Sequence, residues 1–78
     1  MRKVTVNLSE SQQIKSFVNI VNKYAFDMDL RSGRYVVDAK SILGIFSLDL
    51  SKPVELEIVS EDEETISKFM EDIKPYLV

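Results

Sequence analysis

Residues 26–48, FDMDLRSGRYVVDAKSILGIFSL, change hydrophobic period midway, and that change organises the chain. Phe26, Met28 and Leu30 alternate with Asp27, Asp29 and Arg31, the period of a strand with one buried face. The Ser32-Gly33 pair supplies the backbone freedom for a tight turn into Tyr35, Val36 and Val37, so the first half reads as a β-hairpin. From Lys40 the alternation stops. KSILGIFSL suits one or two helical turns, with Ser41 positioned to cap the orphan amides of the first turn. Pro53 and the next strand are close, so that helix is short. Because each helical step turns about 100°, Ile42, Leu43, Ile45 and Phe46 spread around more than half the circumference. Either the helix is covered on two sides, or part of it stands exposed at a partner surface; periodicity alone leaves both open.

Working outward, Val4, Val6 and Leu8 alternate with Lys3, Thr5 and Asn7 in a first strand. Ser9 and Gln12 have capping-box spacing, and Ile14, Phe17, Val18 and Val21 continue at helical spacing to about Tyr24. On the other side, Val54, Leu56 and Ile58 alternate with Glu55 and Glu57 in a further strand. The acidic Ser60–Glu64 segment suits a helix start, and Ile66, Phe69, Met70, Ile73 and Leu77 mark a last amphipathic helix. The order is βαββαβα. Strands with one apolar face and helices with one apolar stripe imply an α+β fold, with the helices covering one face of a mainly antiparallel sheet. With 78 residues and no repeat or linker, residues 1–78 read as a single domain.

Composition narrows the function. The chain has 45% hydrophobic and 29% charged residues, a globular balance, and its net charge of −3 with scattered cations speaks against direct nucleic-acid binding. There is no cysteine and no histidine, so thiolate chemistry, imidazole general bases, imidazole metal ligands and phosphohistidine are all excluded. Residues 1–13, MRKVTVNLSESQQ, alternate where a signal peptide or membrane span would run apolar, which implies a cytoplasmic protein without membrane contact. Glu61, Asp62, Glu63 and Glu64 lack the spacing and glycine of a calcium loop and read as a solvated helix start. Asp27 and Asp29 share a strand face without a convergent partner, and Gly33 and Gly44 stand alone where a phosphate loop would cluster them. No catalytic constellation, metal site or cofactor motif emerges; the expectation is a protein that is not an enzyme.

Asn22–Leu48 resembles the HPr phosphocarrier family of the bacterial sugar phosphotransferase system. In that family a Lys-Ser-Ile/Leu-Met/Leu-Gly-Val/Ile-x-Ser-Leu segment forms the short second helix, and the preceding hairpin matches without a gap. The resemblance implies the HPr-like open-faced β-sandwich: a four-stranded antiparallel sheet covered on one face by three helices. It departs at the carrier site. The family bears its phosphoryl group on a histidine in a Gly-Ile-His-Ala-Arg-Pro-like segment; counting back from Ser41 places Glu10 at the histidine and Gln12 at the arginine. A carboxylate would give a mixed anhydride in place of a phosphoramidate, and no arginine is left to steady the phosphate. Glu10 is also a poor mimic of a charged carrier, with one charge where phosphate has nearly two.

The chain therefore looks like the non-carrier, catabolite-repression type of the family. Ser41 matches the serine that HPr kinase/phosphorylase modifies, producing a corepressor for a LacI-type transcription factor. Positions matching Ile42, Leu43 and Phe46 form the family's exposed docking patch, and Lys40 is placed to steady the phosphate or steer an acidic partner. A phosphate on Ser41 would add about −1.5 to −2 charges at a helix start. Simple capping is the plainer role of the same hydroxyl, and the two are compatible. Two other readings remain at this point: a structural protein, self-associating as a weak homodimer through the patch or a strand edge, that has lost both phosphorylation functions, and phosphotransfer through another residue.

Overall fold

The computed structural model describes residues 2–78. Four strands, β1 (Arg2–Val6), β2 (Asp27–Ser32), β3 (Tyr35–Asp38) and β4 (Val54–Val59), form one sheet in the order β1-β4-β2-β3, with every neighbouring pair antiparallel. Helices α1 (Ser11–Val21), α2 (Ile42–Phe46) and α3 (Glu63–Asp72) supply the second layer. This is the α+β open-faced sandwich expected from the alternation of the strands and the stripes of the helices.

The period-2 pattern decides which sheet face is dry. Val6, Met28, Leu30, Val54, Leu56 and Ile58 are buried and meet Ile14, Phe17, Val18 and Val21 of α1, Ile66 and Phe69 of α3, and Ile45 of α2 in one core. The open face carries Lys3, Asp27, Asp29, Arg31, Glu55 and Glu57, which register places side by side. Glu57 is the exception to the wet face: it is buried between Lys3 Nζ, 3.9 Å away, and Arg31 Nη2, 3.7 Å away. Their stems cover its carboxylate while their charged ends stay in water.

Several boundaries differ from the sequence expectation. The capping pair of α1 is one residue later than Ser9 and Gln12: Glu10 is the N-cap and its N–H donates to Gln13 Oε1 at 3.1 Å. That shift sets Ile14, Phe17, Val18 and Val21 toward the core. Helix α1 ends at Val21, short of Tyr24, because Asn22 caps it and Lys23 and Tyr24 turn back on Ile20 and Val21. The β-hairpin loop is Gly33-Arg34, with Ser32 still in β2; Gly33 takes φ 60°, open to glycine at little cost. Leu8 is buried but lies beyond the strand.

Leu77 is not helical either. Asp62 starts α3, accepting from Thr65 N at 3.3 Å and Thr65 Oγ1 at 2.7 Å. After Asp72 the chain tightens into a 3₁₀ turn, Lys74–Tyr76, around Pro75, which has no N–H to continue an α-helix. Leu77 then bridges Val6, Asn7 N donates to Tyr76 O and Val78 N donates to Thr5 O, so the chain's last residues line the outer edge of β1.

Candidate functional site

The segment leading into α2 is held from both sides. Asp38, at the end of β3, accepts from Lys40 N through Oδ1 at 2.9 Å and from Ser41 N through its carbonyl at 3.0 Å. Asn22, the C-cap of α1, donates through Nδ2 to Val18 O at 2.9 Å and to Lys40 O at 3.4 Å. These contacts fix Ser41 in an extended conformation, φ −99° and ψ 108°, that suits an N-cap. Its Oγ accepts from Gly44 N at 3.2 Å, and its carbonyl accepts from Ile45 N at 3.0 Å. Ser41 is exposed. Phosphorylation would leave Oγ able to accept from Gly44 while adding charge outside the turn.

Gly44 allows the close seat of α2 on the sheet. A Cβ there would stand 3.3 Å from both Ser41 Oγ and Val37 Cβ, so the cap or the Val37 side chain would have to give by a few tenths of an ångström. Ser47 closes the other end, its Oγ donating to Gly44 O at 2.6 Å. Within this single turn the side chains sort at a spacing of three. Ile45 is buried and Ile42, three residues earlier, is half-buried against the core. Leu43 and Phe46, also three apart, are 82% and 47% exposed and form one apolar stripe. Leu48 turns in. Relative to the expected outward trio, Ile42 is only half outward, because it shares the core-facing side with Ile45. Lys40 is half-buried, its main chain committed to the Asp38 and Asn22 bonds.

Glu10 does not join this cluster. It caps the start of α1, whereas Asn22, which touches Lys40, caps its end; the 11 residues between span about 16 Å. Glu10, expected to match the family's histidine, and Ser41 thus stand near opposite ends of α1. Among the described residues no group of three or more metal-ligating side chains occurs, and no helix is long and apolar enough to cross a membrane. Sequence reasoning missed Asn22 and Asp38 as positioning residues. Asp38 two residues before Lys40 was the available signal, since an aspartate commonly bonds the backbone two residues on.

The family model for the PTS HPr component phosphorylation site matches residues 3–77. The chain belongs to the HPr family. No curated protein matches it in sequence. Solved structures do: HPr-C-His from Thermoanaerobacter tengcongensis is 28% identical with a TM-score of 0.74, covering 95% of this chain and 92% of that one. The Bacillus subtilis catabolite repression protein Crh is 26% identical with a TM-score of 0.64, covering 96% and 88%, and is described as an intertwined, domain-swapped dimer. A phosphocarrier protein HPr from Bacillus anthracis str. Ames, at 24% identity, TM-score 0.66 and coverage of 92% and 93%, shares the fold. HPr proteins are phosphocarriers, not enzymes. This HPr-family chain has no histidine at any position.

Proposed function

We propose that residues 1–78 act as a single HPr-like regulatory domain that does not carry phosphate on histidine and is switched by phosphorylation of Ser41. The observation that carries this reading is the juxtaposition at α2: an exposed serine hydroxyl stands at the head of a turn whose exposed stripe is Leu43 and Phe46. A kinase and a reader of the phosphoserine can share that apolar stripe, and a dianion beside it gives an arginine-bearing partner two features to recognise at once. The partners are HPr kinase/phosphorylase and a LacI-type transcription factor, acting in the cytoplasm; Lys40 steers acidic groups toward the turn. The absence of histidine supports the loss of the carrier role, since neither Glu10 nor Gln12 can replace a phosphohistidine and its arginine.

Incubation with ATP and HPr kinase/phosphorylase should add one phosphate by intact-mass spectrometry, lost in Ser41→Ala. Phosphoenolpyruvate with enzyme I should leave the chain unlabelled. An unmodified chain under conditions that phosphorylate an authentic HPr would end the switch reading. The dimeric Bacillus subtilis relative favours a second reading, a self-associating protein that has lost both phosphorylation functions. Light scattering of wild type against Phe46→Lys tests whether α2 supplies that contact.

A further inference from the structure

The two edges of the sheet are unequal. The last residues of the chain line β1, but among the described residues no strand pairs with the outer side of β3, where Ser41 N meets only the Asp38 carbonyl at the strand's end. Proteins ordinarily blunt such an edge with lysine, proline or a bulge. Here β3, four residues ending in one charge at Asp38, offers Tyr35, 70% exposed, and Val36, 47% exposed.

The register identifies what fits. Ala39 N donates to Met28 O, and β2 and β3 pair with Leu30 opposite Val37 and Ser32 opposite Tyr35. Antiparallel bonding alternates, so Tyr35, Val37 and Ala39 turn their backbone groups toward β2, while Val36 and Asp38 turn theirs outward and Arg34 follows from the turn. The sequence of this edge, Arg34-Tyr35-Val36-Val37-Asp38, is self-complementary about Val36. A second copy laid antiparallel on a two-fold axis through Val36 sets Val36 against Val36, Tyr35 against Val37 and Arg34 against Asp38, twice. The outward N–H and C=O of Val36 then face their counterparts in hydrogen-bonding register, while the Asp38 carbonyl, which already accepts from Ser41 N, keeps a second lone pair.

Charge on the open face points the same way. Asp38 is directly opposite Asp29 in the sheet, an unfavourable pairing of like charges. Glu57 takes the nearby cations Lys3 and Arg31, and among the described residues neither Asp29 nor Asp38 has an ion pair. Arg34 of a second copy arrives beside Asp38. We propose that β3 is a homodimerisation edge, joining two copies into one continuous sheet through the pairs Val36–Val36 and Arg34–Asp38. This is independent of the Ser41 reading and uses neither the α2 stripe nor strand exchange.

Because five residues a side, four of them in β3, make a small contact, the dimer is weak, with Kd on the order of 0.1–1 mM. Sedimentation equilibrium across that range should show wild type dimerising. Val36→Pro removes an N–H that points away from β2, so it should stay folded by circular dichroism and weaken the dimer roughly tenfold or more. Arg34→Glu and Asp38→Lys should each weaken it about tenfold, while their equimolar mixture, which restores both charge pairs, associates as wild type does. Should Asp38→Lys disturb the turn into α2, amide exchange of the unmodified chain decides: Val36 and Asp38 N–H groups should gain protection with concentration. A wild-type monomer at about 1 mM, a dimer indifferent to Val36→Pro, a mixture no tighter than its components, or concentration-independent exchange at Val36 and Asp38 would each overturn the proposal.

Discussion

Tyr24 donates its phenolic hydrogen to Asp72 Oδ2 across 2.5 Å, tying the end of α1 to the end of α3. Asp72 sits at the C-terminal end of its helix, where the partial negative charge of the unpaired carbonyls disfavours a carboxylate, and the phenol is its compensating donor. Tyr24 also stacks edge-on against Phe69, 5.1 Å between ring centres, and tilts over Phe26 at 5.5 Å.

Tyr24→Phe keeps the ring contacts and removes the hydrogen bond. It should lower stability by about 0.5–1.5 kcal/mol in urea titration. The hydrogen bond to Asp72, with lesser help from burial and the carboxylate's charge, pushes the Tyr24 pKa from 10.0 up to about 12. A raised pKa means the fold favours the protonated phenol. That stability is whole below pH 10 and is lost as pH rises from 10 through about 12. The substituted protein should lack this alkaline component.

Asp62 gives the opposite sign. Hydrogen bonds from the Thr65 side chain and backbone hold its pKa below the usual 3.8, so its contribution is present above that pH and is lost on acidification through the lowered value. Asp62→Ala should lower Tm by roughly 5 °C at neutral pH. The difference from wild type should shrink in acid, which thermal melts at a series of pH values would reveal.

The sorting of α2 predicts unequal costs for neighbouring residues of similar size. Ile45→Ala should cost about 2–5 kcal/mol, since it empties a buried site. Leu43→Ser should cost less than about 0.5 kcal/mol, because that side chain touches mainly water. Under the proposed function Leu43→Ser should instead weaken kinase binding at least about fivefold, measured by calorimetry on a protein whose melt is unchanged.

Glu57→Gln should cost about 1 kcal/mol or less by urea titration, despite the burial of the carboxylate. Lys3 and Arg31 are themselves about half exposed, so on losing the charge they regain water without leaving a stranded cation. A much larger loss would mean that the ion pairs organise the sheet.

What the sequence made legible divides by range. Alternation at Val4, Val6, Met28, Leu30, Val54, Leu56 and Ile58 marked the inward positions of β1, β2 and β4, since a one-residue slip would turn each of them to water. Ser41 was legible as a cap because its Oγ serves a backbone group only three residues away. The start of α1 was displaced by one residue because Ser9-x-x-Gln12 and Glu10-x-x-Gln13 both have capping spacing, and only packing of Ile14 and Phe17 chooses between them. Leu77 fits a helical stripe, yet Pro75 breaks the helix and Val6 receives Leu77 from the far end of the chain. Strand order was illegible for the same reason: nothing local to Val4 announces that its partner is Leu56.

That strand order also governs how the chain must fold. β4 lies between β1 and β2 and is the last strand made, so β1 has no strand to pair with until residues 54–59 have left the ribosome. Before then the β2–β3 hairpin is the one pairing available at short range. Contacts this distant in sequence carry a large loop-closure cost ahead of their reward, which makes arrival of β4 the slow, committing event. Substitutions in Leu56 and in the hairpin loop should therefore both slow folding itself, while those in contacts made after β4 arrives should act chiefly on unfolding.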